Sequence, residues 1–159
     1  TKELIRYKLD DLLKFCRQFK EKPMIQIAGL NPHAGEEGKI GVEEQKLIIP
    51  ILNEWRLDNP EIKLIGPVPP DSCWISSANA WKNNTHTNNA PDGILALYHD
   101  QGLIPIKLIA FDDAINTTLG LPFVRTSPDH GTALDIAGKF VARETSMVAA
   151  MNNAWMLSQ

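Results

Sequence analysis

Three short apolar runs limit this chain most. Met24 to Leu30 (MIQIAGL), Ile62 to Ile65 and Gly93 to Tyr98 (GILALY) are brief, β-branched or leucine-rich, and closed by turn residues. Such runs read as strands buried on both faces. Segments of helical period separate them. Over residues 2–20, Ile5, Leu9, Leu12, Cys16 and Phe19 recur at spacings of 4, 3, 4 and 3, which draws one apolar stripe ended by Pro23. Residues 42–57 read as a second helix with Leu47, Ile48, Ile51, Leu52 and Trp55 inward, kinked or split at Pro50. Buried strands alternating with helices predict an α/β fold with a mostly parallel sheet and flanking helices. With 159 residues, no internal repeat and no interdomain linker, residues 1–159 are expected to be a single α/β piece.

The rest of the chain is less regular. Residues 72–81 fit more than one element. Residues 82–91 (KNNTHTNNAP) are a polar loop. Residues 103–110 (LIPIKLIA) are apolar, and Pro105 leaves helix or edge strand open. Residues 114–127 hold two short extended pieces around Gly120-Leu121-Pro122. From Thr132 onward the pattern predicts helix, broken near Gly138, with Ala149, Ala150, Ala154 and Met156 packed in a terminal helix.

Composition removes several function classes. No apolar run approaches the ~18 residues that span a bilayer. The net charge is −3, although residues 1–22 are basic, so nucleic acid is not an expected partner. The acids within that basic stretch argue against a transit peptide, and Thr1 is not followed by an apolar leader core. Cys16 lies on the apolar stripe and reads as core. Two cysteines, Cys16 and Cys73, build no disulfide scaffold, so a cytoplasmic location is expected. Neither G-x-G-x-x-G nor a P-loop occurs. Ser72 and Cys73 lack a nearby histidine, so nothing suggests a hydrolase triad.

In open α/β sheets, ligands sit beyond the C-terminal ends of the strands. His33 follows the first strand, His99 directly follows the third, and His130 follows the Val124–Ser127 piece. Imidazole is a common ligand for divalent metals, but histidines at such positions also serve as caps or hydrogen-bonded structural groups, and both readings stand. His86 reads as a solvated loop residue. Downstream of His99 lie Asp100, Lys107, Asn116 and Arg125. Lysine and arginine pair with phosphate or carboxylate. Lys107 interrupts an apolar run, so it must snorkel or face a polar site. The glycine-rich GEEGKIG loop is either a flexible turn or an anion cradle.

Longer blocks carry a resemblance. AGLNPHAGEEGKIGVEE (28–44), IIPIL (48–52), GPVPPD (66–71), LYHDQGLIPIK (97–107) and INTTLGLPFVRTSPDHGTALDIAGK (115–139) resemble the 4-hydroxythreonine-4-phosphate dehydrogenases of vitamin B6 biosynthesis. That family is related to isocitrate and isopropylmalate dehydrogenases. The resemblance implies their α/β fold and the C-terminal half of a longer enzyme. The absent N-terminal half carries a third metal histidine and a His-Thr substrate pair. The resemblance also implies that His33 and His99 are metal ligands, and that Lys107, Asn116 and Arg125 contact substrate. Asp100 reads either as a partner of His99, in the catalytic group with Lys107, or as a surface residue. His130, Gly131, Thr132, Ala133 and Asp135 match the cofactor loop H-G-S-A-P-D-I-A-G-K-G, with Leu134 in place of proline and Phe140 in place of the last glycine.

The implied reaction oxidises and decarboxylates 4-phosphohydroxythreonine, a phosphorylated amino-hydroxy acid, to 3-amino-2-oxopropyl phosphate. It uses NAD or NADP and a divalent metal (Zn, Mg, Co or Mn), in a homodimer whose site draws on both subunits. Two rivals remain. One is a related dehydrogenase of a phosphorylated sugar acid, such as phosphothreonate or phosphoerythronate. The other is a non-catalytic fragment that retains the fold.

Overall fold

The computed structural model describes residues 1–84 and 89–159. His86 lies outside them. The described residues divide into two compact units, Thr1–Pro105 and Ile106–Gln159. None of the described helices is long and apolar enough to cross a membrane.

The first unit is built on a parallel sheet of three strands, β1 (Met24–Ala28), β2 (Lys63–Val68) and β3 (Gly93–Leu95), in the order β2-β1-β3. Every residue of the central β1 is buried. That burial is the reason its sequence is continuously apolar apart from Gln26, whose amide donates to the Cys73 carbonyl at 2.7 Å. β1 pairs with β3 at Ile25↔Gly93, Gln26↔Ile94 and Ile27↔Leu95.

Helix α1 (Lys2–Cys16) is capped by the Thr1 hydroxyl, which accepts from Leu4 N–H at 3.3 Å. It buries Leu9, Leu13 and Cys16. The expected helix to residue 20 is shorter by one turn, and Phe19 stands exposed beyond its end, edge-on to Phe15. The second expected helix is continuous, but it changes pitch just before its proline: a π-helical turn (Glu44–Ile48) passes directly into α2 (Ile49–Asp58), whose second residue is Pro50. Ile48, Ile51, Leu52 and Trp55 face the core, and Leu47 is only half-buried. The ambiguous stretch forms α3 (Ile75–Lys82).

Helix α4 (His99–Ile109) resolves the Pro105 question in favour of helix, and the boundary between the units falls at that proline. In the second unit, β4 (Ile115–Thr117) and β5 (Thr126–Pro128) form an antiparallel pair against which α5 (Thr145–Leu157) packs. The helix expected from Thr132 is corrected. Residues 134–136 make one 3-10 turn, and α5 begins only at Thr145. Gly138 at φ +76 and Phe140 at φ +54 interrupt any earlier helix. α5 buries Ala150 and Ser146, whereas Met156 is half exposed.

Both cysteines are buried and unpaired. Burial, with Asp92 nearby, pushes the Cys16 thiol up to about 11. Burial also raises Cys73 against a hydrogen bond from Gln26. A native chain should therefore leave both thiols unlabelled by an aromatic disulfide reagent at neutral pH, and react at both once denatured. Rapid labelling of the native chain would contradict this packing.

Candidate active site

In the strand order β2-β1-β3, the chain leaves β1 toward β2 on one side and later adds β3 on the other. The crevice between β1 and β3 is thus the switch point, where α/β sheets bind ligands. His33 lies five residues beyond the end of β1, and His99 opens α4 four residues beyond β3. The topology brings both expected metal histidines to one end of two neighbouring strands.

Each imidazole is oriented by a carboxylate. His33 Nδ1 lies 2.7 Å from Glu36 Oε1, and His99 Nδ1 lies 2.7 Å from Asp100 Oδ1. A carboxylate can only accept, so Nδ1 carries a proton, and in the neutral ring Nε2 has its lone pair free. This is the arrangement in which an outer carboxylate aligns a metal-ligating histidine. The two side chains are 65% and 81% exposed, so both Nε2 atoms are accessible. Among the described residues, no group of three or more His, Cys, Asp or Glu could hold a metal ion. The donor chemistry suits a divalent metal, and the donor number requires a ligand from elsewhere.

The glycine-rich loop follows a left-handed course. Residues 33–38 all have positive φ, from +43 at Glu36 to +95 at Gly38. Runs of left-handed backbone are costly for residues other than glycine, at roughly 1 kcal/mol or more each. The fold holds this turn by burying Glu44. Its Oε1 accepts from Leu30 N–H at 2.8 Å and Asn31 N–H at 2.7 Å, and Oε2 accepts from the Asn31 amide at 2.8 Å. Gly35 (φ +83) packs onto the same carboxylate, and a Cβ there would come within 2.8 Å of Glu44 Oε2. Burial pushes the Glu44 carboxyl up, but the hydrogen bonds from Asn31 and Leu30 outweigh it and hold the group below the usual carboxylate range. Glu44 was not among the expected site residues, although it continues the inward stripe of Ile48, Ile51 and Trp55.

In the second unit, Lys107 does face polar groups. Its ammonium donates to the Asp129 carbonyl at 2.6 Å and to Asp129 Oδ2 at 3.0 Å. Arg125 donates to the Thr118 hydroxyl at 2.8 Å. Asn116 and Thr118 are two residues apart and share a face, so Arg125 and Asn116 lie together beside the β4–β5 ladder, both exposed. His130 and Ala133 border a groove of ≈170 Å³, with Phe111, Ile136 and Arg143 among its walls. The Arg143 guanidinium lies 5.8 Å from the Phe111 ring centre and pairs with Asp112. Gly131, Thr132 and Asp135 are exposed and lie outside the groove lining. A Cβ at Gly131 would meet nothing within 4 Å.

The model of one family, "Pyridoxal phosphate biosynthetic protein PdxA", matches residues 1–154. The chain belongs to the PdxA family. It is 55% identical over 156 residues to the 4-hydroxythreonine-4-phosphate dehydrogenase of Synechocystis sp., covering 97% of this chain and 44% of that protein. It is 53% identical over 154 residues to the enzyme of the same name from Synechococcus sp. (strain RCC307), covering 97% and 47%. The crystal structure of the Klebsiella pneumoniae 4-hydroxythreonine-4-phosphate dehydrogenase superposes with a TM-score of 0.82 at 37% identity, over all of this chain and 45% of that one. The chain thus spans less than half the length of the PdxA relatives it matches. The α/β fold expected from the sequence is the fold of these relatives.

Proposed function

We propose that this chain supplies the metal-histidine and anion-binding part of a PdxA-type 4-hydroxythreonine-4-phosphate dehydrogenase, acting in pyridoxal phosphate biosynthesis. The observation that carries the reading is the position of His33 and His99 just beyond the C-terminal ends of the neighbouring strands β1 and β3, each with Nδ1 on a carboxylate. His33 and His99 would hold the divalent metal through Nε2, with a third donor from outside the described residues. Asp100 would keep the His99 ring aligned. A bound metal of this kind lowers the pKa of the substrate hydroxyl and, with NAD or NADP taking the hydride, makes oxidation and loss of CO2 accessible near neutral pH.

Arg125 and Asn116 would bind the phosphorylated amino-hydroxy acid, Arg125 through its charge and forked donors and Asn116 by orienting hydrogen bonds. Lys107, two of whose three donors serve Asp129, would offer the third to a substrate anion. Arg143, Phe111, Ala133 and His130 would take the flat end of the dinucleotide. The groove is smaller than the ~300–1,000 Å³ of a pocket that buries a whole drug-sized ligand, so it accommodates one ring system. Gly131, Thr132 and Asp135 would reach the cofactor only from the groove's edge. We propose a homodimer in the cytoplasm as the working form.

The test uses the family-length protein, in which this chain follows the N-terminal half its relatives carry. NADH or NADPH formation is followed with divalent metal and with 4-phosphohydroxythreonine, phosphothreonate or phosphoerythronate. Turnover on the first alone, lowered about 100-fold or more by Arg125→Ala, supports the assignment. Turnover only on a sugar acid moves the protein to that relative, and absence of turnover on all three favours a non-catalytic role.

A further inference from the structure

We propose that Gln101 is a positioning residue that spaces the two histidine loops, acting as a side-chain rung between β1 and β3 where their backbones part. The proposal rests on the reading of His33 and His99 as metal donors. The β1–β3 ladder runs Ile25↔Gly93, Gln26↔Ile94, Ile27↔Leu95. Two residues further in the same register stand Gly29 and Leu97. The Gln101 amide lies between them. Its Nε2 donates to the Gly29 carbonyl at 2.7 Å, and its Oε1 accepts from Leu97 N–H at 2.7 Å. The side chain is buried, with only 6% of the residue exposed.

This placement joins the exits of both strands. Gly29 precedes the His33 loop, and Leu97 precedes His99. On its other side Gly29 is tied to β2, where its N–H donates to the Val68 carbonyl at 2.7 Å. Leu30 and Asn31 are held by Glu44. Gln101 is therefore the described side chain that links the His33 side of the crevice to the His99 side. Its chemistry suits that task. A primary amide presents a donor and an acceptor in one plane, so it can replace a backbone rung between diverging strands. Glutamate lacks the donor at neutral pH, and asparagine is one methylene too short to reach both partners from the first turn of α4. Buried and fully paired, the amide leaves little slack between the loops.

The probe is Co²⁺, titrated into the family-length protein and read both by calorimetry and by its visible absorption bands. Gln101→Met keeps length and removes both hydrogen bonds, and Gln101→Asn keeps the groups and shortens the reach. Each should weaken Co²⁺ binding about 10- to 100-fold and alter the absorption bands in protein that circular dichroism shows to be folded. Leu52→Ala, a core change that leaves the Gln101 hydrogen bonds in place, lowers the thermal midpoint without changing Co²⁺ affinity or bands. Wild-type affinity and bands in both Gln101 variants would overturn the proposal, as would an equal loss in Leu52→Ala. His33→Ala and His99→Ala separate the two readings. If these bind Co²⁺ like the wild type, the metal assignment falls and the spacing role falls with it. If they abolish binding while the Gln101 variants do not weaken it, only the spacing role falls.

Discussion

Trp55→Ala is expected to destabilise the Thr1–Pro105 unit by about 3–5 kcal/mol. Trp55 is fully buried on α2 and packs in one cluster with Leu9, Leu13, Ile25, Ile27 and Leu52. Its indole N–H donates to Asp10 at 2.7 Å. Truncation therefore opens a large cavity between α1, α2 and the sheet, and it also removes the partner of a carboxylate. Trp155 offers the internal contrast. It lies on α5, is 73% exposed, and its change to alanine should cost within about 0.5 kcal/mol. Urea denaturation of the two variants checks both values. Similar losses in the two would contradict the core described here.

Glu44→Ala should cost about 3 kcal/mol, because it leaves the Leu30 and Asn31 N–H groups unpaired where the loop toward His33 begins. The carboxyl is held below its ordinary range in the folded chain, so folding favours its ionised form. Its contribution is complete above the ordinary carboxylate pKa of about 4.3 and is lost as pH falls through the lower folded value. Stability of the wild type should thus decline from about pH 5 downward, and Glu44→Gln should flatten that decline while lowering stability at pH 7. Denaturation midpoints between pH 7 and pH 3 provide the check. An unchanged acid limb in Glu44→Gln would show that another carboxylate governs it.

The parts of this fold legible in the sequence were those with a strong period or a hard constraint. β1 announced itself because a central strand, buried on both faces, tolerates almost nothing polar. The change from π-helical to α-helical backbone just before Pro50 fits the irregularity expected of a proline inside a helix. His33 and His99 could be placed because residues after buried strands gather at one end of a parallel sheet. The misreadings arose where local composition is apolar but the backbone is irregular. Residues 137–144 look helical by residue type, yet Gly138 and Phe140 take left-handed conformations. The left-handed turn at 33–38 was hidden for a related reason. Its six residues are one His, one Ala, two Gly and two Glu, which have no common preference, and what holds them there is Glu44, buried in the helix that follows. Glu44 left one signal, an acid on the apolar stripe of a helix. Gln101 left none, since a glutamine in a first helical turn is ordinary until Gly29 is found opposite it.

His33 and His99 are proposed to serve together the chemistry of a PdxA-type dehydrogenase. The most direct measurement is metal-dependent NADH formation from 4-phosphohydroxythreonine by the family-length protein, compared with its His33→Ala and His99→Ala variants at saturating substrate and cofactor. Turnover is expected to need added divalent metal and to fall at least about 1,000-fold in each variant, a loss of roughly 4 kcal/mol of transition-state stabilisation. Turnover that persists in both variants, or that is indifferent to metal and chelator, would contradict it.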